Sequence, residues 1–260
     1  MTLNVVEEGS GPPLLIAHGL FGASRNWQGI ARRLAADGWR VVLPDMRNHG
    51  QSFHAPAMDY ESMAQDLHEV IRVMGLGPVS IIGHSMGGKA AMMLALLHED
   101  LVERLVAVDV APKSHATSLG RYAEAMRALP LDEITRRTEA DARLAEAVPN
   151  QGVRGFLLQS LEFPREGRPH WRLNLDAIID GMADIAGWPD PAPGGPYDGP
   201  ALFLAGGESD YVTADDMASV RALFPRARRE VVPDTGHWLH AEAPDAVVES
   251  LRAFLDEEDL

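Results

Sequence analysis

The chain has 260 residues, which is enough for one or two domains whose core needs no disulfide or metal ion to stabilise it. It contains no cysteine, and this excludes disulfides, thiolate nucleophiles, Cys-ligated zinc and iron–sulfur clusters. The formal net charge of −15 disfavours nucleic acid and anionic lipid as partners and favours a small molecule. There is no apolar stretch of about 18 residues and no secretory signal pattern, so we expect a cytoplasmic protein without a membrane contact.

Short apolar runs alternate with helical patterns at both ends of the chain. The first part predicts, in order, a strand at 14–17, a helix at 24–37, a strand at 40–43, a helix at 59–74, a strand at 79–83, a helix at 86–98 and a strand at 105–110. The last part predicts a strand at 201–205, a helix at 213–223, a strand at 229–232 and a helix at 244–255. This alternation predicts an α/β fold with a mostly parallel sheet covered by helices on both faces.

The segment 113–199, called the insertion below, breaks this rhythm. It predicts helices at 119–129, 134–148, 153–160 and 175–186 but no strand, and it ends in a proline-rich loop. We therefore expect a core made of residues 1–112 and 200–260, with a helical insertion at the carboxyl edge of its sheet. Ligand sites of such sheets lie at that edge, so the loops after the strands are where functional residues are expected.

One of these loops carries a strong chemical signal, the sequence Gly83-His84-Ser85-Met86-Gly87 between a predicted strand and a predicted helix. A serine in this context sits on a sharp, strained turn that lifts its hydroxyl clear of the sheet. Neighbouring chain passes so close to the turn that glycine is needed at 83 and 87. The helix N-terminus that follows favours developing negative charge. Ser85 is therefore the predicted nucleophile.

A serine nucleophile needs a base, and the base needs a carboxylate that orients it. His237 follows the last predicted strand, which makes it the expected base, with His240 as a weaker alternative. Asp109, at the end of the strand 105–110, and Asp210, after the strand 201–205, are equally placed to be the carboxylate. Glu208 is a poorer third option, and the sequence leaves the choice between Asp109 and Asp210 open.

Acyl transfer also needs two N–H groups that stabilise the oxyanion of the tetrahedral intermediate. Met86, directly after the nucleophile, is expected to supply one of them. The other is expected from the loop after the first long predicted strand, with Leu20 as first choice and Phe21 as second. This chemistry requires neither a metal ion nor an organic cofactor.

The motifs together resemble the α/β-hydrolase family. They are His18-Gly19, the stretch 45–52, the turn at 83–88 around Ser85, called the elbow, and Gly236-His237 with Glu242-Ala243-Pro244 near the end of the sequence. They occur in the family's order. The chain further resembles small bacterial esterases and their abhydrolase-domain relatives. The resemblance implies that the insertion is a cap over the site. It places the triad acid at Asp210 by the general family pattern, or at Asp109 by the pattern of the subgroup.

The residues and the resemblance predict a serine hydrolase, foremost a carboxylesterase that cleaves short- to medium-chain acyl esters through an acyl-enzyme. Thioesterase, lactonase, amidase or perhydrolase activity on the same triad is the alternative. A ligand-binding protein that keeps the fold without catalysis is the alternative from another class. Several apolar residues of the insertion either line an acyl or alcohol pocket or form the insertion's own core: Met126, Phe156, Leu157, Leu161, Trp171, Met182 and Trp188.

Overall fold

A seven-stranded sheet forms the centre of the computed structural model, which describes residues 1–115 and 118–257. The strands of the described residues are β1 (Val5–Glu8), β2 (Pro13–Ala17), β3 (Arg40–Pro44), β4 (Val79–His84), β5 (Val102–Val108), β6 (Leu161–Glu162), β7 (His170–Trp171), β8 (Ala201–Gly206) and β9 (Ala227–Val232). The α-helices are α1 (Gln28–Ala36), α2 (Tyr60–Met74), α3 (Met86–Leu97), α4 (Leu119–Arg127), α5 (Arg137–Leu144), α6 (Gln151–Leu158), α7 (Leu175–Asp180), α8 (Met182–Ala186), α9 (Met217–Leu223), α10 (Leu239–Glu242) and α11 (Pro244–Leu255).

The strands of the large sheet follow the order β1-β3-β2-β4-β5-β8-β9. All neighbours are parallel except β1, which is antiparallel to β3. The predicted α/β fold with a mostly parallel sheet is confirmed. The edge strand β1 was not predicted, because its short sequence Val-Val-Glu-Glu is only partly buried and shows no clear alternation.

Local signals explain where several helices begin and end. The Asp59 side chain accepts the N–H of Ser62 at 2.7 Å and caps α2, and Gly75 ends that helix with a φ of +61°. The predicted helix 213–223 starts only at Met217 in the structure. Its first residues form a turn instead, because the Asp216 carboxylate accepts both the N–H and the hydroxyl of Thr213.

Two apolar layers cover the sheet and hold α3 in the interior. One face of the sheet packs against α2, α3 and much of the insertion, and the other face packs against α1 and α11. Every residue of β4 is buried, and so is α3 from Met86 to Leu96. The junction between β4 and α3 is therefore held from all sides, and this rigidity is what a strained turn requires.

The insertion is less regular than the sequence predicts. Its β6 and β7 form a small antiparallel pair, which corrects the expectation of no strand. Two-residue strands are too short to produce a pattern, and an ion pair between Arg172 and Glu162 joins their ends. The predicted helix 175–186 is divided at Gly181, where a Cβ would lie 2.5 Å from the Met58 Cβ. Residues 116, 117 and 258–260 of the predicted insertion and core lie outside the described residues.

Candidate active site

Ser85 lies on the strained turn that joins β4 to α3. Its φ of +52° and ψ of −118° are unusual for a residue with a side chain, and its N–H donates to the Val108 carbonyl at 3.1 Å. A Cβ at Gly83 would lie 2.3 Å from the Gly87 oxygen, and one at Gly87 would lie 2.4 Å from the Ala17 oxygen. The two glycines are thus required because the backbone segments pass too close for any side chain.

Three side chains from separate loops form a chain of hydrogen bonds at the carboxyl edge of the sheet. His237, in the loop after β9, has its Nε2 3.1 Å from Ser85 Oγ and its Nδ1 2.7 Å from Asp109 Oδ2. The neutral imidazole with its proton on Nδ1 donates to the carboxylate and accepts from the serine hydroxyl. This tautomer is the one that leaves Nε2 free to remove the serine proton.

Asp109 is fully buried and follows β5, which ends at Val108 rather than at the predicted residue 110. Its φ of +49° turns the side chain out of the strand direction. The Gly206 N–H donates to Oδ1 at 3.0 Å, and the Ser209 hydroxyl donates to Oδ2 at 2.5 Å. These donors satisfy the buried carboxylate and fix its orientation toward His237.

Asp210, the other candidate carboxylate, is exposed, and within residues 1–115 and 118–257 no hydrogen bond joins it to His237. Its loop supports the site in a different way, through Ser209 and the Gly206 N–H. The sequence predicts a role for this loop but not for Ser209, whose place beside Asp109 depends on how the two loops meet. Glu208 is exposed as well.

Aromatic rings surround the imidazole of His237. The Tyr211 ring stacks on it at 4.0 Å between centroids, and His84 donates from Nε2 to the His237 carbonyl at 2.8 Å. His240, the weaker candidate base, stacks instead on Trp27 at 4.6 Å and is buried. Burial and the nearby His237 lower the pKa of His240 to about 4, which keeps this ring neutral.

The loop after β2 and the start of α3 bring two N–H groups to the site. Met86 is the first residue of α3, so its N–H has no acceptor within the helix. The Leu20 N–H has no acceptor among the described residues. The Phe21 N–H donates to His49 Nε2 at 3.1 Å and is not free for an oxyanion, which corrects the second choice from the sequence. Leu20 and Met86 remain the candidate donor pair.

Two small cavities meet at Ser85. The first, of about 30 Å³, is bounded by Leu20 and Met86 together with Tyr60, Lys89, His115 and Ile185. The second, of about 20 Å³, lies on the His237 side and is bounded by apolar groups of the insertion that include Phe156 and Leu157. Of the apolar residues named from the sequence, these two reach the site, whereas Met126 and Leu161 are buried away from both cavities.

A family model described as the alpha/beta hydrolase fold matches residues 12–244. The chain belongs to the α/β-hydrolase family. This α/β-hydrolase is 40% identical over 251 residues to the sn-1-specific diacylglycerol lipase ABHD11 of Mus musculus, a match that covers 94% of this chain and 81% of that protein. It is 38% identical over 247 residues to the esterase YbfF of Escherichia coli strain K12, covering 94% of this chain and 93% of that protein.

Among solved structures, a marine microorganism esterase superimposes on this α/β-hydrolase with a TM-score of 0.93. The two are 38% identical, and the match covers 97% of this chain and 99% of that one. In the part of the chain that the structure describes, no three His, Asp or Glu side chains are grouped as a metal ion would require. Within the same residues, no helix is both long and apolar enough to cross a membrane.

Proposed function

We propose that this α/β-hydrolase is a serine ester hydrolase that cleaves short- to medium-chain acyl esters. The observation that carries the proposal is the hydrogen-bonded chain from Ser85 through His237 to Asp109, which ends at a hydroxyl facing two cavities. The names of the relatives, a diacylglycerol lipase and two esterases, support the same reaction class.

In the proposed mechanism, the Ser85 oxygen attacks the ester carbonyl carbon while His237 Nε2 accepts the serine proton. Asp109 stabilises the imidazolium without itself being protonated. The N–H groups of Leu20 and Met86 donate to the oxyanion, and loss of one such donor typically costs about 3 kcal/mol in the transition state. His237 then protonates the leaving alcohol, and water activated by the same nitrogen hydrolyses the acyl-enzyme.

The insertion acts as the cap in this proposal, because α6 and α8 supply walls of the two cavities at Ser85. The two cavities are small, about 30 Å³ and 20 Å³. The expected partner is a small ester, and the cytoplasm stays the predicted location, testable by cell fractionation.

The first experiment is labelling with a fluorophosphonate probe, read by intact mass. Wild-type protein is expected to gain one adduct, Ser85→Ala to gain none, and Ser219→Ala, at an exposed serine on α9, to react like the wild type. Adduct formation on Ser85→Ala would reject Ser85 as the nucleophile. A folded wild-type protein that gains no adduct would favour the ligand-binding alternative.

A second experiment separates ester hydrolysis from its closest alternatives. 4-Nitrophenyl esters and acyl thioesters of matched chain length are compared by kcat/KM. The proposal expects higher values for the esters, with a decline as the acyl chain outgrows the space under the cap. A consistent preference for thioesters would instead assign the protein as a thioesterase with the same triad.

A further inference from the structure

Lys89 is a buried cation inside the site, and the mechanism above does not use it. Lys89 is only 3% exposed, and it bounds the same cavity as Ser85, Leu20 and Met86. It lies one turn along α3 from the nucleophile, since its own N–H donates to the Ser85 carbonyl at 3.0 Å. A charged group so deep in a protein needs a partner, which makes its contacts informative.

The ammonium of Lys89 contacts carbonyl groups of the insertion. Its Nζ donates to the carbonyls of Gly187 at 2.6 Å and Ala186 at 3.2 Å, at the end of α8, and lies 5.4 Å from the centre of the Tyr60 ring. Within the described ranges, no Asp or Glu oxygen forms an ion pair with it. An ammonium has three N–H donors, so one is left after the two carbonyls. Burial without a counter-ion lowers the pKa of Lys89 to about 7.

The reaction geometry assigns the Lys89 cavity to the acyl part of the substrate. The leaving alcohol must accept a proton from His237, so it has to occupy the cavity that His237 bounds. The acyl chain then extends to the opposite side of Ser85, where Met86 and Lys89 bound the other cavity. The backbones of Ser85 and Lys89 are only one helical turn apart, about 5.4 Å along the axis.

We infer that Lys89 binds a carboxylate at the far end of a short acyl chain, so that the preferred substrates are half-esters of small dicarboxylic acids. The inference rests on the proposed ester hydrolysis and names its substrate class. The carboxylate would take the remaining N–H of Lys89 and supply the anion that residues 1–115 and 118–257 do not provide. Ser85 and Lys89 bound the same cavity, so the chain that joins the ester carbonyl to the carboxylate is a short one.

The competing explanation is that Lys89 only tethers the cap. Its two carbonyl acceptors belong to the insertion and its backbone belongs to α3. The two hydrogen bonds therefore join the insertion to the core. A tether would affect all esters alike, whereas a carboxylate partner would affect only substrates that carry one. The ratio of kcat/KM for two esters of equal length therefore distinguishes these roles.

The test compares monoethyl glutarate with ethyl valerate, which differ by one terminal carboxylate, by measuring ethanol release. A hydrogen bond to a charged group contributes about 1.5–3 kcal/mol, so wild type is expected to prefer the half-ester about tenfold to a hundredfold in kcat/KM. Lys89→Met should lose that preference, whatever its kcat/KM for ethyl valerate. Lys113→Met is the control, because this lysine is paired with Asp216 outside the cavity.

The pH dependence of the same ratio in wild type keeps the inference testable if the variant does not fold. Lys89 loses its charge as the pH rises through about 7, so the preference should decline between about pH 6 and 8.5. The titratable groups facing it are Tyr60 on α2, His115 after β5 and Tyr211 after β8, with Asp184 on α8 close to Tyr60.

Each outcome decides one of the two proposals. The deciding quantity is the ratio of kcat/KM for monoethyl glutarate to kcat/KM for ethyl valerate. If this ratio is equal in wild type and Lys89→Met, or does not change with pH in wild type, the carboxylate site is overturned and Lys89 is only a tether. Wild-type hydrolysis of ethyl valerate with no preference for the half-ester would overturn the inference alone. Hydrolysis of neither ester, nor of any other ester in the series, would overturn the proposed function together with it.

Discussion

His49 connects the stability of this α/β-hydrolase to pH through the loop that carries Leu20. The ring is fully buried, its Nε2 accepts the Phe21 N–H at 3.1 Å, and its Nδ1–H donates to the Arg47 carbonyl at 2.8 Å. In the neutral ring, both nitrogens therefore form hydrogen bonds. Protonation would direct a second N–H against the Phe21 N–H and place an unpaired charge in the interior.

The size of the effect follows from the pKa. Burial of the ring, and then the nearby His18, lower the pKa of His49 from 6.5 to about 3. The unfolded chain binds this proton more readily, so the contribution to stability is present above pH 6.5 and is lost as the pH falls towards 3. Integrated between about pH 7.5 and pH 5, the loss for this one group is about 2 kcal/mol of unfolding free energy.

The assay is urea unfolding of wild type, His49→Gln and His54→Gln at both pH values. Gln can still accept the Phe21 N–H but does not titrate, and His54 is an exposed histidine that serves as the control. His49→Gln is expected to lose about 2 kcal/mol less than wild type on acidification, whatever its stability at the higher pH. Buried His84 and His240 contribute equally in all three proteins. An identical loss in all three would refute the assignment to His49.

Three further changes test the site and the fold. Asp109→Asn should lower kcat for 4-nitrophenyl butyrate by about 10⁴ while Asp210→Asn stays within about twofold, and equal losses would reject the assignment of the acid. Gly87→Ala, whose Cβ would lie 2.4 Å from a β2 carbonyl oxygen, should lower the unfolding free energy in urea by about 3 kcal/mol or more, whereas Gly155→Ala meets no atom within 4 Å and should not lower it. Asp59→Ala removes the N-cap of α2 and should lower the unfolding free energy by about 1 kcal/mol in the same assay. An unchanged unfolding free energy would contradict the capping role.

The sequence located the loops of the candidate site because their chemistry is local. The glycines around Ser85 predict a strained strand-to-helix turn without reference to the rest of the molecule. The carboxyl ends of parallel strands share one edge of a sheet, so the loops with Ser85, Asp109 and His237 were expected to approach each other. The structure brings these three side chains within hydrogen-bonding distance.

The sequence could not choose between Asp109 and Asp210, because both follow neighbouring strands at the same edge. In the structure, the side-chain direction of Asp109 depends on its positive φ and on hydrogen bonds from Gly206 and Ser209. These donors are about a hundred residues away in the sequence. Whether the Leu20 or the Phe21 N–H is free depends likewise on the remote ring of His49.

What the sequence by itself determined is the α/β fold class, the mostly parallel sheet and the elbow at Ser85, because hydrophobic periodicity and glycine sterics act over a few residues. Tertiary structure alone decided the partner of His237, the position of Tyr211 on its ring, the β6–β7 pair and the burial of Lys89 beside the nucleophile. These features depend on contacts between segments far apart in the chain, whose distances and directions are fixed only when the loops and the insertion pack onto the sheet.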